Sequence, residues 1–121
     1  RPNCTRAEFA STAIHISRRV GPLMWIGSLE FDVLLGDVHS LKEKRSVVRP
    51  IVAELKRRFG VSVAEVDHRD LHRRTMIGVG VVSGDAAHIA EVLDSVERTV
   101  AIRPEIELLS VRRRLVSTDD L

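Results

Sequence analysis

The stretch VSVAEVDHRDLHRRTMIGVGVV, residues 61–82, decides the fold. Val61–Val66 is rich in β-branched residues and reads as a strand. Arg74–Val82 reads as a second strand, with Ile77, Val79 and Val81 on one face by the period of two. Between them, Asp67-His68-Arg69-Asp70 is polar and turn-forming. The pair is therefore a hairpin. Gly78 and Gly80 fall on its other face, where a strand glycine marks close approach of another group to the backbone.

Working outward, each side of the hairpin carries an amphipathic helix and then, beyond it, one more strand. Upstream, Ser40 stands three residues before Glu43, the spacing of a capping box. Val47, Val48, Ile51, Val52, Leu55 and Phe59 recur at helical spacing, and Gly60 is a natural C-cap. Pro50 interrupts this pattern and predicts a kink, or a short first turn followed by the main helix. Before Gly36-Asp37, Trp25–Leu35 alternates apolar and polar residues as a half-buried strand does. Downstream, Gly84-Asp85 supplies a loop and an N-cap. Ile89, Val92, Leu93, Val96 and Val100 make a second helical stripe. After Pro104, Glu105–Val116 reads as a last strand, with a slip near Leu109 that suggests a bulge. Ser117–Leu121 reads as a frayed tail.

The order is β-α-β-β-α-β. It predicts an α+β, ferredoxin-like domain: a four-stranded antiparallel sheet with two helices on one face. The other face is left open to a partner chain or a ligand. The domain is expected over residues 24–121. Residues 1–23 lack a sustained apolar period and read as an N-terminal extension, flexible or outside the core.

Composition limits the function. Hydrophobic residues make up 44% and charged residues 30% of 121, the balance of a globular chain rather than a disordered one. Aromatics are 3%, so the core rests on Val, Leu and Ile. A single cysteine, Cys4, excludes an internal disulfide framework and a multi-cysteine zinc site. No run is long and apolar enough for a membrane helix, and the start is a poor secretory signal. Cytoplasmic residence and no membrane partner are the expectation. The net charge is +2, yet residues 41–60 hold seven cations and two acids. Further basic clusters are Arg69, Arg73 and Arg74, and Arg112–Arg114. A basic face of this kind suits nucleic acid or another polyanion.

Several motifs together resemble a known family. They are Gly27-x-Leu29, Ser40-Leu41-Lys42-Glu43-Lys44-Arg45, Ala64-Glu65-Val66-Asp67, Asp70-Leu71 and Gly78-Val79-Gly80-Val81-Val82-Ser83. They resemble the small bacterial YlxP-like proteins, catalogued as a domain of unknown function, number 503, from about Met24 to about Val116. The resemblance implies the ferredoxin-like fold. Genes of that family often stand near those of translation initiation and ribosome-binding factors, which implies a link to translation or ribosome maturation. It brings no catalytic residues and no cofactor.

Three functions follow as expectations. The first is a non-enzymatic module binding RNA or a ribosomal subunit through a basic helix N-terminus. Its contacts would be Lys42, Lys44 and Arg45, helped by Arg49 and extended by Arg73, Arg74 and Arg112–Arg114. Backbone N–H groups at a helix start hold phosphate, and nearby cations strengthen that hold. Sheet-face RNA readers stack bases on aromatics. Only Trp25 and Phe31 lie on the expected strands, so backbone contact is favoured over base stacking. The plain alternative is a solvated helix end whose Lys stems cover apolar surface. The second function is a homodimer or interaction module, built on the open sheet face or an edge strand. The third is a divalent-metal or enzyme site at residues 65–72, with Glu65 and Asp67 sharing one strand face. Against it, Asp67 and Asp70 are ordinary turn residues, Glu65 would pair with a nearby Arg, and the spacing fits no strong metal motif.

Overall fold

The computed structural model describes residues 24–68 and 70–120. Strand β1 is Trp25–Leu35, helix α1 Leu41–Phe59, strand β2 Ser62–Asp67 and strand β3 Arg74–Ser83. Helix α2 is Ala86–Ala101 and strand β4 Ile106–Ser117. One antiparallel sheet has the order β2-β3-β1-β4, so β2 and β4 are its edges. This is the ferredoxin-like α+β arrangement that the alternation of elements predicts. The expected extension at 1–23 lies outside the described residues.

Local chemistry sets the helix ends. The Glu43 N–H donates to Ser40 Oγ (3.1 Å), while Glu43 Oε1 accepts from the His39 N–H (2.7 Å). Gly60 ends α1 at φ 64°, in the left-handed region that a Cβ disfavours, and its N–H donates to the Lys56 carbonyl. Residues 41–59 form one continuous helix, so the separate short first turn expected before Pro50 does not occur. Pro50 sits on the exposed side, with its ring directed away from the core. Asp85 caps α2 by accepting from the Ala87 and His88 N–H groups.

The core lies between sheet and helices. Leu29, Phe31, Val33 and Leu35 of β1 meet Val48, Ile51 and Leu55 of α1 and Ile89, Leu93, Val96 and Val100 of α2, all buried. At Gly27 α2 packs tightly on the sheet: a Cβ there would collide with Ile89 Cγ2. Two bulges shape the edges. Asp32 pairs with Ser110 and Val33 with Leu108, so Leu109 is the extra residue near which the alternation slips. In β2, Glu65 pairs with Ile77 and Asp67 with Met76, so Val66 is extra. The C-terminal end differs from the expected fray. Thr118–Asp120 form a 3-10 turn, and Asp120 Oδ2 accepts from the Ser117 N–H (3.0 Å) and hydroxyl (3.2 Å).

Candidate nucleic-acid interface

Helix α1 carries the cations that the sequence singles out, and its geometry sorts them. At 100° per residue, Lys42, Arg45, Arg49 and Lys56 fall within roughly 60° of one another and span about 21 Å along the axis. All four are exposed. Among the described residues, none of them has a carboxylate within 4 Å. The helix's two acids stand on the other side. Glu43 is held in the capping box, and Glu54 binds the guanidinium groups of Arg103 and Arg58. Those partners hold the Glu54 carboxyl below its ordinary range, Arg103 most of all, although burial opposes them. Among the described residues, then, no ion pair offsets the stripe's positive charge, although Glu65 and Asp70 share hollows with its members.

Lys44 does not belong to that stripe. It is 2% exposed. Its ammonium donates to the carbonyls of His68 (2.6 Å) and Leu71 (2.7 Å), and Glu65 Oε2 lies 2.7 Å away. Thr75 Oγ1 donates to the same Glu65 oxygen at 2.5 Å. All three ammonium protons thus have protein acceptors. Lys44 ties α1 to the β2–β3 turn and leaves the set of cations available to a ligand. Glu65 pairs with this lysine rather than with an arginine. The helix start is also less open than expected, because the capping box places the protein's own oxygens there.

The remaining candidates lie elsewhere. Arg73 is exposed at the sheet end near the start of α1, where its Nε–H donates to the Gly36 carbonyl (2.9 Å). Arg74 is on the sheet face turned away from the helices, in a two-pronged pair with Asp32 (2.9 and 2.7 Å). The sheet separates it from the α1 stripe, so the two do not form one track. Arg113 faces the helix layer and donates to Asp94 Oδ1 (2.7 Å) and the Ala90 carbonyl (3.1 Å). Arg112 and Arg114 are exposed on the opposite face.

Two hollows flank the stripe beside the β2 edge. One, of about 390 Å³, has Arg45, Arg49 and Lys56 around an apolar floor of Val48 and Val52. The other, of about 330 Å³, lies at the helix start between Leu41, Lys44 and Arg45 and the acids Glu65 and Asp70. Neither contains an aromatic side chain. Phe31 is fully buried and Trp25 packs against the core.

The proposed grouping of acids at 65–72 is taken apart by the β2 bulge. Glu65 turns toward the helices, whereas Asp67 turns to the open face and accepts from the His68 N–H (2.8 Å). Among the described residues, no three His, Cys, Asp or Glu side chains converge on a metal-sized site. No described helix is long and apolar enough to cross a membrane.

Lys56 was not among the residues singled out from the sequence, although it lies seven residues, about two turns, beyond Arg49. The burial of Lys44 also had a signal. It stands four residues before Val48 and seven before Ile51, on the apolar face.

A family model described as "Protein of unknown function (DUF503)" matches residues 26–113. An uncharacterized protein of Bacillus subtilis (strain 168), YlxP, is 34% identical over 82 residues, covering 68% of this chain and 89% of that protein.

Proposed function

The chain belongs to the DUF503 family, and from that premise we propose that it is a non-catalytic cytoplasmic module that grips the sugar–phosphate backbone of RNA, as part of translation or ribosome maturation. One observation carries the reading: four exposed cations, Lys42, Arg45, Arg49 and Lys56, share one flank of α1 without carboxylate partners. Their axial steps of about 4.5, 6 and 10 Å are of the order of spacings between phosphates along a strand. Contacts of this kind give affinity and salt dependence, and little choice of sequence. The lack of aromatics around both hollows supports backbone contact over base stacking. The family's expected gene neighbourhood supports RNA over other polyanions.

The site therefore moves from the start of the helix to its flank. Relative to the sequence reading, Lys44 and Arg74 drop out, Lys56 joins, and Arg73 is peripheral. The test is co-sedimentation with ribosomal subunits, with filter binding to single-stranded RNA. Lys42→Glu/Arg45→Glu/Arg49→Glu is expected to abolish binding while leaving the circular dichroism spectrum and melting temperature intact. For wild type, log K should fall with log salt at a slope of about −2 to −3, as three or four phosphate contacts require. Arg112→Glu/Arg114→Glu, on the far side of the sheet, should bind as wild type does. Undiminished binding by the α1 variant, or equal loss in the β4 variant, rules the stripe out.

A further inference from the structure

The sheet face turned away from the helices has a composition that water alone does not explain. Across its β3 end runs an apolar row, Val82 beside Ile26 beside Val116, in strict register. Val82 is 60% exposed. The next row is nearly bare, with Gly80 opposite Ser28; in the row beyond, Val66 leans over Gly78, its Cγ1 2.9 Å from where a Cβ would stand, and Glu30 lies beside it. A Cβ on Gly80 would meet nothing within 4 Å. The face is thus flat around Gly80, where no described residue covers it. Solvent-facing sides of antiparallel sheets are ordinarily polar throughout.

Its charges lie on the two edges and, on the central strands, at Glu30 and the Asp32–Arg74 pair. On β4, Arg112 and Arg114 point to this face. Arg112 touches Glu30 only at 3.6 Å with its side chain 78% exposed, and Arg114 has no acidic partner among the described residues. On β2, the bulge at Val66 turns Asp67 onto the same face. A shallow depression of about 450 Å³ lies between them, with Asp67 and Val66 on one wall and Arg112 and Ser110 on the other.

We infer that this face docks a second copy of the chain, sheet against sheet, about a two-fold axis running along the strands near Gly80 and Ser28. Such an axis lays β4 of each copy over β2 of the other. Arg112 of each then lies over the Ala64 row of the other, one two-residue step (about 7 Å) from Asp67 and within reach of its long side chain, and the contact is made twice. The face is therefore its own electrostatic complement, which a neutral or purely basic partner would not match. Four strands about 4.8 Å apart and about ten residues long give on the order of 600 Å² per copy, or roughly 1,200 Å² in total. That reaches the lower bound of stable interfaces. The bare row at Gly80 and Ser28 lets two sheets approach to their aligned packing distance there, and the apolar row beside it closes one end. The α1 stripe lies on the opposite side of the sheet, so this inference stands apart from the RNA reading, and a dimer leaves both stripes outward.

Sedimentation equilibrium of the protein in moderate salt tests it. Wild type is expected to be dimeric at micromolar concentration. Gly80→Arg fits the fold, since its Cβ has open space, and should raise the dissociation constant at least roughly tenfold, as an interface-centre change does. Asp67→Arg and Arg112→Asp should each weaken the dimer, and the two together should restore it. That recovery separates interface loss from damage to the turn that Asp67 caps. A monomer at 100-fold higher concentration (on the scale of these affinities), a dimer indifferent to Gly80→Arg, or absence of recovery in the exchanged pair overturns the inference.

Discussion

A lysine ammonium has three N–H donors, and in Lys44 each ends on a protein oxygen: two turn carbonyls and one carboxylate. The same residue type two positions earlier, Lys42, is in water. What separates them is position on the helix, not chemistry: two residues turn the helix by about 200°. Removing the Lys44 charge strands Glu65 and both carbonyls. Lys44→Met keeps the stem volume and is expected to destabilise the fold by about 3 kcal/mol, as breaking a buried ion pair does. Urea denaturation measures it. Glu65→Gln should cost less, because the amide oxygen still accepts from both Lys44 and Thr75. Lys42→Met should be near neutral, which distinguishes a tether from a surface charge.

At the scale of elements, much was legible in the sequence. Ser40 and Gly60 bracketed α1 to the residue, because each end needs a specific chemistry: a side-chain acceptor at one and a left-handed backbone at the other. The alternation in Trp25–Leu35 gave β1 its ends, and the slip near Leu109 marked the β4 bulge. The β2 bulge was not legible. Glu65 and Asp67 stand two apart, which in a regular strand means one face. Only the pairing with β3 shows that Val66 is extra. The partners of Lys44 were hidden for the same reason, since they come from a turn 24 to 27 residues away whose shape follows that bulge. The contact of α2 with β1 rests on one missing side chain. Gly27→Ala would drive a Cβ into Ile89 and crowd Leu93, both core residues. Overpacking of this kind is expected to cost about 2 kcal/mol, seen as a lower melting temperature. Ile89→Ala is expected to cost less in that background than in wild type, because the added methyl fills part of the space it leaves.

Over the whole molecule, charge is arranged by layer. The helix layer carries the unpaired stripe on α1, and the open face carries the Asp32–Arg74 pair, the loose Glu30–Arg112 pair and Arg114. Among the ion pairs that join distant parts of the chain are Asp32 with Arg74 and Glu54 with Arg103. Both carboxyls are held below their ordinary range, first by hydrogen bonds from these arginines and against the opposing effect of burial. A carboxyl depressed in the folded state stabilises fully above its unfolded value, near about pH 4, and loses that contribution as pH falls through its folded value. Stability should therefore be level from neutral pH down to about pH 5 and then fall with further acid. Asp32→Asn/Glu54→Gln should be less stable at neutral pH and show a shallower acid decline. Denaturant midpoints across the acid range report this, and an unchanged decline in the double variant would refute the assignment.

The seclusion of Lys44 also makes the chain its own probe of breathing. It has three lysines, 42, 44 and 56, and acylating reagents attack only a free, uncharged amine that they can reach. Two are on the surface, and the third becomes reachable only when the turn at 68–71 lifts away from the helix. The lag of its acylation behind the other two is thus a clock for that opening, readable by mass spectrometry without altering a single residue.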